Sequence, residues 1–166
     1  MGLRGNYFIT KEILKQYDPC REGYSLFCKH FPDGGEYQKI LDACCENGRF
    51  TDAVWLVRKI GKTDDVLEIK EEINDTGLEI CFAGTIKFGK MAVLRRLFAG
   101  SGIKAGCGIE AGCGIKAGCG IEAGCDHGIY AGLRVRISFK KQYAVITAKE
   151  KPKNIVCGEW KERETE

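Results

Sequence analysis

Apolar positions change their period near residue 65. Before that point they recur at helical spacing. Cys20, Tyr24, Phe27 and Phe31 follow at steps of four, three and four, which makes one apolar stripe. Tyr37, Ile40, Leu41, Cys44 and Cys45 form a second helical face, and Phe50 with Trp55 brackets a further start as a hydrophobic staple. The punctuation agrees with this pattern. Thr10 caps a short helix over residues 11–17, and Asp18 caps the next, with Pro19 at its first helical position. Asn47-Gly48 supplies a left-handed stop, Thr51 caps the fourth helix and Gly61 ends it. These signals predict a helical domain over residues 1–64, with an antiparallel hairpin at residues 36–60. Four short helices bury such stripes only against each other and a neighbouring layer, so the stripes read as core rather than as a partner groove.

Beyond residue 65 the pattern becomes an internal repeat of six. Ile103-Lys-Ala-Gly-Cys-Gly is followed by Ile109-Glu-Ala-Gly-Cys-Gly, Ile115-Lys-Ala-Gly-Cys-Gly and Ile121-Glu-Ala-Gly-Cys-Asp. After an interruption at Asp126-His127-Gly128 it resumes at Ile129 and Val135, and Ile80 and Ile86 extend it upstream. A period of six without proline excludes collagen, and the regular isoleucines exclude a flexible linker. On a strand, Ile103, Ala105 and Cys107 face one way while Lys104, Gly106 and Gly108 face the other. The expected core is therefore Ile103, Ile109, Ile115, Ile121 and Ile129, and the expected outer face over residues 102–124 is flat and glycine-rich.

The position after each isoleucine alternates as Lys104, Glu110, Lys116, Glu122. Three hexads per coil stack Lys104 beside Glu122, whereas two or four would stack like on like, which is unfavourable between adjacent strands. At that coil length residues 66–160 give about five coils, with the helical domain capping the first. The predicted fold class is α+β: a helical domain (1–64) capping a short β-solenoid (65–160), then a charged tail (161–166).

These hexads resemble the hexapeptide-repeat β-solenoid family, well over residues 97–140 and loosely on either side. Many members of that family are acyltransferases with a loop histidine and acyl-coenzyme A bound between subunits. His127 beside Asp126 in the one interruption is the matching candidate for a general base. No second polar cluster supports it, and the three residues read as a polar splice in the repeat. The solenoid also resembles bactofilins, bacterial scaffolds that polymerise end to end, although here a helical domain precedes the solenoid and a charged tail follows it. The wording of the repeat, after a start containing Asp18-Pro-Cys-Arg-Glu-Gly and His30-Phe-Pro-Asp-Gly-Gly, is similar to small phage and prophage proteins. That resemblance implies a non-enzymatic inhibitor of a host machine, such as an anti-CRISPR protein.

Composition narrows the reading further. Glycine is the outlier, 22 of 166 residues against a usual share of roughly 7%. A net charge of +3 over the whole chain, with a near-neutral helical segment, is too balanced for a dedicated polyanion binder. The ten cysteines include no Cys-x-x-Cys pair, and no export signal precedes them, so they read as reduced packing residues without metal in a cytoplasmic protein of a bacterial host. No apolar run approaches the ~18 residues of a membrane span. His30, close to Pro32, reads as a helix-end histidine. The remaining feature is a local basic excess at Arg95, Arg96, Arg134, Arg136, Lys140 and Lys141. The expected function is thus non-catalytic and cofactor-free. The protein would bind a macromolecular partner, protein or ribonucleoprotein, through that side of the solenoid, with a homodimer allowed. The alternatives are a self-associating scaffold and an acyltransferase.

Overall fold

The computed structural model describes residues 6–117, 120–123, 128–131 and 145–162. Four helices come first: α1 (Lys11–Lys15), α2 (Arg21–His30), α3 (Tyr37–Glu46) and α4 (Phe50–Ile60). Thr10 caps α1, its hydroxyl accepting from the Ile13 amide at 3.3 Å. Gly48, at φ 69°, ends α3, and Gly61, at φ 115°, ends α4, both in the region that favours glycine. Two predicted caps are corrected. Asp18 does not cap α2: it sits at φ 53°, and Cys20 takes the cap, its Sγ accepting from the Gly23 amide at 3.3 Å. Thr51 does not cap α4, which starts two residues earlier than that cap implies, at Phe50 after Arg49. Phe50 is thereby drawn into the helix and buried. A two-residue antiparallel pair, β1 (Phe8–Ile9) with β2 (Gly35–Glu36), ties the start of the chain to the loop before α3.

The rest of the chain is a right-angled departure in logic: short parallel rungs stacked in register. Coil one comprises β3 (Val66–Ile69), β4 (Ile73–Asn74) and β5 (Glu79–Phe82). Coil two comprises β6 (Thr85–Phe88), β7 (Ala92–Leu94) and β8 (Arg96–Ala99). Coil three comprises β9 (Ile103–Ala105), β10 (Gly108–Ala111) and β11 (Ile115–Ala117). Coil four comprises β12 (Ile121–Ala123), β13 (Gly128–Ala131) and β14 (Val145–Ala148). Two further strands, β15 (Ile155–Cys157) and β16 (Glu159–Glu162), begin a fifth coil, so strand reaches into the segment read as tail. The strands form three parallel sheets: β3-β6-β9-β12, β4-β7-β10-β13-β15 and β5-β8-β11-β14-β16. This is a β-solenoid of about four turns behind a helical N-terminal region.

The predicted inward isoleucines are inward. Ile103, Ile109, Ile115 and Ile129 are fully buried and Ile121 nearly so. Ile103 stands beside Ile121, and Ile115 stands between Leu97 and Ile146. Each such burial stabilises by roughly 1.5–3 kcal/mol relative to exposure. The register also pairs Lys104 with Glu122, as the charge alternation requires.

The outward face and the glycines differ from expectation. A rung is only three or four residues, so strand alternation restarts at each corner instead of running through the hexad. Gly106 and Gly112, with Cys107 and Cys113, lie in the bends between rungs, and the two cysteines are half-buried rather than inward. Corner glycines are needed for close stacking. A methyl group on Gly84 or Gly100 would collide with the carbonyl of Asp65 or Ala83 in the coil below. The outward positions between corners carry side chains, such as Lys87 and Lys104, so no flat glycine face exists among the described residues.

The helical region packs on the flank of the solenoid instead of capping the end of its first coil. α3 and α4 pack against β5, and the outward side chains Cys81 and Phe98 join the helical core with Ala83. Gln38 fastens the seam, its Nε2 donating to the Cys81 carbonyl at 2.8 Å while its Oε1 accepts from the Ala83 amide at 3.3 Å. No described strand lies beyond β3, β4 and β5, and Leu67, Ile69, Ile73, Leu78 and Ile80 stay only partly buried there.

Candidate functional site

Two of the six basic residues singled out by sequence lie in the described structure, and both point to the seam. Arg95 is the bend residue before β8 and Arg96 opens that strand, while Glu79 opens β5 one coil below, in register with Arg96. The Glu79 side chain is 4% exposed, and its Oε1 lies 2.9 Å from Arg96 Nε and 3.3 Å from Arg95 Nη1. Arg96 also lies over the Phe50 ring at 5.3 Å. The pair thus neutralises a buried carboxylate and clamps α4 to the solenoid. Arg96 is mostly covered; Arg95 keeps about half its side chain in solvent. Arg134, Arg136, Lys140 and Lys141 lie outside the described residues, as do Asp126 and His127.

The connection that carries those four cations is set apart by its length. One residue separates β7 from β8 and three separate β10 from β11, but 13 separate β13 from β14. Those 13 residues hold four Lys/Arg and no Asp/Glu. The segment between β13 and β14 therefore carries a net charge of +4.

Sequence reading missed a cavity within the helices. About 330 Å³ opens between α1, α2, α3 and α4, walled by Leu14, Phe27, Ile40, Cys44 and Trp55. Its rim holds His30, the last residue of α2, together with Arg49, which pairs with Glu22 at 3.3 Å and with Asp52. Cys20, Phe27 and Phe31 of the first stripe line it, although the stripe reads as core in the sequence; how completely short helices close over such a face depends on their crossing geometry, which periodicity does not encode. The sequence offset did not reveal Glu79: it precedes Arg96 by 17 positions, one short of the 18 that join Lys104 to Glu122.

Thiol chemistry is suppressed at the seam. Burial pushes the Cys44 thiol up to about 11 and the Cys45 thiol up to about 12, and Cys81 is raised by the same cause. None of the three supplies a thiolate near neutral pH. Among the described residues no group of three or more His, Cys, Asp or Glu side chains is placed to hold a metal ion. No helix among them is long and apolar enough to cross a membrane.

Residues 1–63 match the family model of the YdhT N-terminal domain. The match covers the four helices and stops before the first rung, so the helical region is similar to a module that a family already delimits. No curated protein and no solved structure matches the chain.

Proposed function

We propose that the protein is a non-enzymatic inhibitor or adaptor that binds a macromolecular partner, protein or ribonucleoprotein, through the basic segment between β13 and β14 of its solenoid. The carrying observation is the 13-residue segment between β13 and β14, with its four cations and no anion, on a frame whose described connections between these two sheets have one to four residues. Long insertions between the strands of a rigid scaffold are where recognition concentrates. Arg134, Arg136, Lys140 and Lys141 are the contact residues of this reading. Arg95 and Arg96 serve the frame through Glu79. A cationic segment steers acidic surfaces and phosphate backbones by the same field. The resemblance to phage-borne proteins favours a host defence complex as the partner, acting in the bacterial cytoplasm without a cofactor.

The test is quantitative affinity capture from bacterial lysate with three baits: the natural chain, Arg134→Glu with Arg136→Glu, and His127→Ala. A partner held by the natural chain and by His127→Ala, and depleted at least tenfold by the charge reversal, supports the proposal. Equal capture by the reversed bait sinks it. A thermal shift with acetyl-coenzyme A that His127→Ala removes would put the acyltransferase reading in its place.

The unpaired first coil favours a second reading, a self-associating scaffold joined through β3, β4 and β5. Its rim is acidic, with Asp64, Asp65, Glu68, Glu71, Glu72 and Asp75. A two-fold contact between such ends sets like charges together, so the scaffold reading expects association to rise with salt, read by light scattering.

A further inference from the structure

The outward column of the third sheet runs Phe98, Lys116, Thr147, Lys161, one residue per coil. The helices cover the start of this column at Phe98 and then stop, because α4 ends at Ile60. A cleft of about 150 Å³ opens at that step. Val57 and Phe98 give it an apolar floor, while Arg58 and Lys62 from the end of α4 face Lys116 and Thr147 from the solenoid. No Asp or Glu lines it.

We propose that this cleft is an oxyanion site that takes a phosphate group. Arg58 is held by a helix and Lys116 by strand register, so neither framework can retreat from the other's charge. Partial desolvation against α4, followed by the charge of Arg58, lowers the Lys116 pKa. Among the described residues neither Arg58 nor Lys116 forms an ion pair with a carboxylate, although the protein pairs other cations readily. A bound dianion between them converts that repulsion into two charge-assisted contacts. Thr147, one rung further, adds a hydroxyl that donates or accepts. The apolar floor strengthens each contact by lowering the local dielectric.

The end of a helix carries partial negative charge, which opposes an anion. Here the Tyr37 hydroxyl donates to the Gly61 carbonyl at 3.0 Å and engages one of those terminal acceptors. A phosphate group suits the cleft better than a carboxylate because it offers acceptors toward both walls at once. The proposal stands on Arg58 and Lys116. Lys62 already has an interaction of its own and adds only to the field. It is independent of the macromolecular partner, because the experiment reads a small ligand directly.

That experiment is calorimetric titration of the full chain with inorganic phosphate at pH 7 and low ionic strength, against chloride at matched ionic strength. Saturable binding at one site, weakened at least tenfold in Lys116→Gln and in Arg58→Gln, supports the site. Both variants keep most of each side-chain stem, and unchanged melting curves establish that they fold. Adenosine 5′-monophosphate forms a second arm. Tighter binding than phosphate assigns the source to a nucleotide resting on Phe98, and equal binding assigns it to the phosphate group alone. A linear response, binding matched by chloride, or full binding in both folded variants overturns the proposal.

Discussion

The helical region and the solenoid bury apolar side chains by opposite strategies. In the helices each element carries its own start and stop, and the core is a mixture of unlike residues: Leu14, Phe27, Tyr37, Leu41, Val57. In the solenoid one small set of residues is repeated, and each rung is too short to stand alone. Its core is a column in which Leu97, Ile115 and Ile146 differ little from one another. Helical order is therefore largely specified within an element, whereas solenoid order is specified between coils. The two strategies meet at the seam. Phe98 is outward for the solenoid and core for the helices, and Glu79 with Arg96 carries charge where both want apolar contact.

Breaking one coil is the hardest test of this contrast. Ile115→Asp places an unpaired carboxylate at the centre of the column, at a cost of several kcal/mol. The sheet signal in circular dichroism should collapse, while the helical signal is reduced but present. Retention of both signals at full stability would show that coils do not depend on their neighbours.

The seam comes next. Arg96→Ala leaves Glu79 buried with Arg95 as its remaining partner and removes the cover over Phe50. The expected loss is about 3 kcal/mol, near the lower end for breaking a buried pair. Denaturant unfolding should then separate into two transitions, one for each region. A single transition at unchanged midpoint would mean that the cation over Phe50 does not couple them.

The smallest effect is local. Thr10→Ala removes one cap from α1, worth about 1 kcal/mol. Hydrogen exchange should quicken at the amides of the first turn of α1 and leave the rungs of coils two and three unchanged. Faster exchange in those rungs would contradict the division into local and stacked order.

Much of the architecture was legible because repetition carries its own register. Ile103 and Ile121, or Lys104 and Glu122, identify their neighbours by sequence offset alone, so the coil length followed without coordinates. The helix ends were less legible where two residues compete for one role. Asp18, Cys20 and Pro19 all lie within one turn, and the cap passed to Cys20 because Asp18 took a left-handed turn conformation. The glycines were read as a face because alternation was carried through the whole hexad. Only stacking shows that the corners need close backbone approach at Gly84 and Gly100.

The amino-acid sequence by itself determined the helical start, the solenoid, its inward isoleucines and the pairing of Lys104 with Glu122, because these depend on the helical period and on exact six-residue repetition. Tertiary structure alone decided where the helices dock, that Arg95 and Arg96 serve Glu79, and that Arg58 and Lys116 face one cleft. Glu79 lies 17 positions from Arg96 and Arg58 lies 58 from Lys116, separations that the six-residue period does not set; the stacking of β8 on β5 joins the first pair, and the packing of the helices on the solenoid joins the second.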